Sequence, residues 1–116
     1  MTQHVKIQKQ SQFSTLQFEG LKSLDASNAH RVKAEIKGLI DDQTKNVIAD
    51  LDGIKFIDST GFGALISVLK TVKSQNGKLI LTGVSPEVRE LMDLMQLLSV
   101  FTLSDSMAQA ESQLNS

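Results

Sequence analysis

Residues 46–63, Asn46-Val47-Ile48-Ala49-Asp50-Leu51-Asp52-Gly53-Ile54-Lys55-Phe56-Ile57-Asp58-Ser59-Thr60-Gly61-Phe62-Gly63, decide the architecture. The run from Asn46 to Leu51 is apolar between polar ends and too short for a helix, which reads as a strand buried on both faces. Gly53 breaks it, and Ile54-Lys55-Phe56-Ile57 leads as a short apolar connector to Asp58. Leu65, Val68, Leu69 and Val72 then recur at helical spacing, and Asn76-Gly77 is a helix stop.

The flanks repeat this alternation. Toward the carboxyl end, Leu79-Ile80-Leu81 reads as a second buried strand. Ser85-Pro86-Glu87 opens a helix with a serine cap, a proline in the first turn and a carboxylate at the positive end of the dipole. Leu91, Leu94 and Met95 are expected on its inner stripe. Val100-Phe101-Thr102-Leu103 suits a last short strand, with a terminal helix from Ser104. Toward the amino end, Val5 and Ile7 alternate with polar residues, and Phe13, Leu16 and Phe18 form a second strand-like segment after Gln10-Ser11-Gln12. From Asp25 the period changes to helical, with Ala29, Val32, Ile36, Leu39 and Ile40 inward and Asp25 or Ser27 as cap. A hairpin followed by helix–strand repeats predicts an α/β fold. It is one small domain over residues 1–116, with a mixed sheet of about four to five strands and helices packed against it.

Composition narrows the function. Hydrophobic residues make up 41% of the 116, ordinary for a folded domain. Twelve basic residues stand against thirteen acidic ones and are interspersed, which argues against nucleic acid or an anionic membrane as main partner. Cysteine is absent, which excludes disulfides, thiolate metal sites and cysteine nucleophiles; two histidines, His4 and His30, do not make a multi-histidine metal centre. The amino-terminal Met1-Thr2-Gln3-His4-Val5-Lys6 has no apolar segment suited to a signal peptide, and no stretch is long enough to span a bilayer, so a cytoplasmic protein is expected.

Chemistry is concentrated in Asp58-Ser59-Thr60-Gly61-Phe62-Gly63, between the strand region and a helix start. Outward-pointing amides and a positive helix dipole favour an anion there. From the residues alone, Asp58 or Ser59 is first of all an N-cap.

Ile57-Asp58-Ser59-Thr60-Gly61-Phe62-Gly63 resembles the phosphorylation motif of the STAS domain, named for sulfate transporters and anti-sigma factor antagonists. Val47–Leu51, Gly77–Gly83 and Ser85–Leu91 resemble the family's flanking strands and following helix, in the right order. The resemblance implies an anti-sigma factor antagonist that is a phosphoprotein and not an enzyme, with no cofactor of its own. Ser59 would be the phosphoacceptor, with Thr60 as the fallback and Asp58 and Gly61 forming its surroundings. The implied partners are an anti-sigma factor, also a serine kinase of the histidine-kinase-like ATPase fold, and a PP2C-type serine phosphatase. Phe62 is a candidate partner contact or, equally, ordinary core; Asp25 is a weaker candidate for the partner surface. Two departures stand out: Gly20-Leu21-Lys22-Ser23-Leu24-Asp25 is longer than the family's glycine–acidic–leucine–aspartate run, and a glycine often found near Met95–Leu98 is missing.

Other signals fail on spacing. Gly77-Lys78 lacks the earlier glycine and the following Ser or Thr of a P-loop, and Asp50-Leu51-Asp52-Gly53 lacks the third ligand of a calcium loop. No serine has a histidine placed for a triad. A receiver domain would need an acidic pair where Lys9-Gln10-Ser11-Gln12 stands. The competing function is an accessory STAS subunit of a membrane lipid transporter, a scaffold without a phosphorylation cycle. A third is weak nucleotide binding at the same helix terminus.

Overall fold

The computed structural model describes residues 4–114, so Met1–Gln3 of the amino-terminal run lie outside the described residues. Strands β1 (Val5–Lys9) and β2 (Ser14–Phe18) form the antiparallel hairpin, and β2 pairs in parallel with β4 (Val47–Asp50). β6 (Leu79–Thr82) adds on the far side of β4, and β7 (Thr102–Ser104) on the far side of β6, both parallel. The order β1-β2-β4-β6-β7 gives a mixed five-stranded sheet. A second, two-stranded sheet pairs β3 (Ser23–Leu24) with β5 (Phe56–Ile57), also in parallel.

Register explains why the faces of the large sheet differ. Ile7, Leu16, Ala49 and Leu81 lie side by side with Leu103, and Val47 stands beside Leu79. This apolar face is covered by α1 (Ala29–Leu39), α2 (Ser59–Ser74) and α3 (Pro86–Leu94) in one main core. The neighbouring row, Gln8, Thr15, Ile48, Ile80 and Thr102, points the other way because strand side chains alternate. Only its centre is apolar. Ile48 and Ile80 are therefore met by Ala110 of the terminal helix α4 (Met107–Leu114), with Phe13, Met107 and Leu114 at the edges.

Local chemistry accounts for most boundaries. The Ser85 side chain accepts from the Val88 amide at 3.1 Å, and Pro86 occupies the first turn, as the sequence predicts. At the end of α2 the left-handed residue is Asn76 (φ 63°), not Gly77. Gly77 is needed for space: a Cβ there would collide with the Lys45 carbonyl, where the chain passes the start of β4.

Three expectations change. Residues 25–28 form a turn, so α1 starts at Ala29. Ser104 closes β7 and α4 starts at Met107, with the Ser106 hydroxyl accepting from the Gln109 amide at 3.1 Å. Leu94 and Met95 are exposed, 74% and 41%, and Val88 and Met92 fill the inner stripe instead. The cause is angular for Leu94, which lies about 240° of helix rotation from Val88 and so leaves the stripe of Val88, Leu91 and Met92, while Met95 stands outside the helix at its C-cap. Among the described residues no helix is long and apolar enough to cross a membrane.

Candidate functional site: the first turn of α2

The site is built at the carboxyl end of the parallel strands. Asp58 is the N-cap of α2, in extended backbone, and its Oδ1 accepts from the Gly61 amide at 2.8 Å. Its own carbonyl accepts from the Phe62 amide at 2.9 Å. The sequence left Asp58 and Ser59 as alternative caps; Asp58 takes the role, and Ser59 becomes the first residue of the helix with an exposed side chain. Thr60 is exposed beside it.

The second oxygen of Asp58 ties the turn to another part of the chain. Oδ2 accepts from the Ala26 amide at 3.0 Å, and the Asp58 amide donates to the Leu24 carbonyl at 3.1 Å. Lys55 N–H donates to the Lys22 carbonyl at 2.7 Å, which continues the contact along the small sheet. Gly61 is required by this approach, since any Cβ would run into the Leu24 carbonyl. The unusual Gly20–Asp25 segment is thus the strand and turn that brace the Ser59 turn.

Asp25 is brought close to the site by the same turn, and its carboxylate is busy. Oδ1 accepts from the Ser27 amide at 2.9 Å and from the Ser27 hydroxyl, and Oδ2 accepts from the Ser23 hydroxyl at 2.8 Å. The Ser27 hydroxyl first, then the Ser23 hydroxyl and the Ser27 amide, hold the Asp25 carboxyl below the usual aspartate range, against a small opposing effect of burial. Asn28 is a residue the sequence reading missed. Its Oδ1 accepts from the Asp25 amide at 3.0 Å and its Nδ2 donates to the Ser23 carbonyl at 2.9 Å, so it shapes the turn from a buried position. The Asp25-x-x-Asn28 spacing, two short polar side chains able to bond the local backbone, was the available signal.

Phe62, a candidate partner contact, is corrected to core: it is 1% exposed. It sits three residues before Leu65 and seven before Leu69, on the helix face that enters the main cluster. Its burial stabilises the first turn by about 1.5–3 kcal/mol.

Among the described residues no group of three or more histidines and carboxylates is placed to hold a metal ion. A cleft of about 560 Å³ lies at the other end of the strands, between Ser14, Asp41, Thr44 and Lys45, away from Ser59.

The STAS domain family model matches residues 4–110. The Bordetella bronchiseptica protein BtrV, whose name marks it as a candidate anti-sigma factor antagonist, is 29% identical over 83 residues, 72% of each chain. An anti-sigma-factor antagonist (STAS) domain protein from Planctomyces limnophilus superposes with a TM-score of 0.86 at 19% identity, covering 97% of this chain and 98% of that one. The Bacillus cell fate determinant SpoIIAA, solved in its phosphorylated form, superposes with a TM-score of 0.66 at 18% identity over 94% of this chain and 97% of its own. With a match across almost every described residue and the same fold in its structural neighbours, the chain belongs to the STAS domain family.

Proposed function

We propose that this chain is an anti-sigma factor antagonist, a switch whose affinity for its partner is set by phosphorylation of Ser59. The observation that carries the reading is the exposed Ser59 hydroxyl on the first turn of α2, directly after a cap residue anchored by two amides. A kinase can reach that hydroxyl while the backbone beneath it stays fixed. The names of the relatives support an anti-sigma factor as the partner, and the phosphorylated SpoIIAA supports phosphate as the signal. The partner in this reading is a serine kinase of the histidine-kinase-like ATPase fold, a PP2C-type phosphatase resets the switch, and the cycle runs in the cytoplasm. The chain is the substrate and supplies no catalytic group.

The energy scale suits release by one group. A phosphate adds nearly two negative charges. Against one neighbouring carboxylate across a side-chain length, Coulomb repulsion is about 1–5 kcal/mol, depending on whether the surroundings resemble water or a protein surface. Partial neutralisation by the helix dipole offsets up to about 1 kcal/mol. A hundredfold loss of affinity requires about 2.7 kcal/mol.

The test is phosphopeptide mass spectrometry of the chain from its host, paired with binding of the co-purified kinase to Ser59→Ala and Ser59→Asp. Phosphate on Ser59, with the kinase held by Ser59→Ala and lost by Ser59→Asp, is the expected result. Equal binding of both variants sinks the switch. A transporter bound instead, with no phosphate in any condition, favours the scaffold reading.

A further inference from the structure

Charge is unevenly spread over the molecule. Helices α1 and α2 together carry Arg31, Lys33, Lys37, Lys70 and Lys73 against one carboxylate, Glu35, although the whole chain has a formal net charge of −1. Glu35 is turned away from that excess: its Oε1 accepts from the His4 and Val5 amides at 2.8 and 3.3 Å. The helix on the other side of the phosphosite has the opposite character, with Glu87, Glu90 and Asp93 against Arg89. The two carboxylates at the amino end of the basic face, Asp25 and Asp58, are already held by N–H and O–H donors.

The shape of this face is also particular. Between α1 and α2 runs an open groove of about 290 Å³, lined by Ala29, His30, Lys33, Thr60, Gly63 and Ala64. Its floor is made of small residues and its rim carries a lysine. Thr60, next to the candidate phosphoacceptor, lines the same groove. Along α2, Ser59, Gly63 and Lys70 are all exposed and fall within a quarter-turn on the helix surface, so the candidate phosphosite and the basic surface form one continuous face.

We infer that the α1–α2 face is the docking surface for the partner protein, and that it fits a partner surface rich in carboxylates. The inference rests on the switch reading and adds how the switch acts. Unmodified, the lysines attract the acidic partner surface and speed its approach. A phosphate on Ser59 brings nearly two negative charges to the edge of a face that Lys33, Lys37 and Lys70 make positive. It weakens the attraction over the whole face, beyond its repulsion of the nearest group. The charge is carried by a few scattered cations with no exposed aromatic among them, which suits an acidic protein surface better than the phosphates of a nucleic acid.

The experiment measures association of the kinase that passes the Ser59→Ala and Ser59→Asp criterion, by stopped flow at low and high salt. It compares the full-length wild type, Lys33→Glu/Lys37→Glu, Lys33→Gln/Lys37→Gln and, on the other side of the phosphosite, Arg89→Glu. Circular dichroism checks that each variant is folded. The glutamate pair is expected to associate at least about tenfold more slowly at low salt, the glutamine pair to fall between, and the gap to close at high salt. Arg89→Glu is expected to stay near wild type. A glutamate pair within twofold of Arg89→Glu, in a chain that still releases the kinase through Ser59→Asp, overturns this surface and leaves the switch standing. The same lysine dependence for duplex DNA or phosphatidylserine vesicles, with kinase binding unchanged, overturns it as well. Failure of any kinase to pass the Ser59 criterion removes the switch and this surface with it.

Discussion

Asp58 and Ala26 are joined across thirty-two positions of sequence by a hydrogen bond of 3.0 Å, from the Ala26 amide to Oδ2. The other oxygen of the same carboxylate caps α2 through Gly61. One side chain therefore starts the helix and fastens it to the turn that precedes α1.

Removing that carboxylate should cost more than removing an ordinary cap. Asp58→Ala is expected to lose about 1–2 kcal/mol from the cap alone, with a further loss from the Ala26 amide left without its acceptor. Asp58→Asn should retain most of the cap. Urea unfolding of the three proteins checks this; equal midpoints for Asp58→Ala and wild type would show that the bond contributes nothing to stability.

Gly61→Ala places a methyl group against the Leu24 carbonyl. Either α2 or the small sheet must shift, and an overpacked site of this kind loses about 1–3 kcal/mol. The expected readout is a lower unfolding midpoint together with amide chemical-shift changes at Leu24 and Ala26. A Gly61→Ala protein with wild-type stability would mean that the approach is looser than described.

Phe62 and Leu94 make a contrasting pair. Phe62→Ala should cost about 3–5 kcal/mol by opening a cavity in the main core. Leu94→Gln, at a position 74% exposed, should stay within about 0.5 kcal/mol of wild type. Denaturation curves for the two variants decide the matter, and a large loss at Leu94 would contradict its exposure.

Acid sensitivity should have one identifiable contributor at the far end of the sheet. The Lys9 ammonium, then the Thr44 hydroxyl and the Gln43 amide, draw the Asp41 carboxyl down from 3.8 to about 2. A lowered folded-state value means stability that is present above the unfolded value and lost as pH falls through the folded one. The difference in Tm between wild type and Asp41→Ala should therefore be constant above about pH 5 and shrink between about pH 4 and pH 2. A difference that stays flat to pH 2 would rule out this contribution.

Long-period patterns carried most of the architecture in readable form. The apolar runs at β4 and β6, the stripe of α2 and the Ser85-Pro86 helix start each place several residues under the same local rule. What escaped was short and cooperative. β3 and β5 have two residues each, too few for any periodicity, and they exist because Lys22 and Leu24 offer carbonyls where Lys55 and Asp58 bring amides. Leu94 was misplaced because its direction falls a third of a turn off the stripe of Val88, Leu91 and Met92, and Met95 because α3 ends before it. At the site, the Asp58 cap was readable as one of two choices, because capping is local chemistry. The second bond of Asp58, to Ala26, was not, because its partner is a backbone amide that any residue except proline could supply. Phe62 could not be assigned to surface or core from spacing alone, since its direction depends on where the first turn is anchored.

The two-stranded sheet is a separate piece of scaffolding from the five-stranded one, and this gives the molecule a kind of modularity. Substitution at the exposed positions Lys22, Ala26 and Ser27 can reshape the wall beside Ser59 without disturbing the strand register that specifies the domain, while Leu24 and Asn28, buried, hold the segment in place.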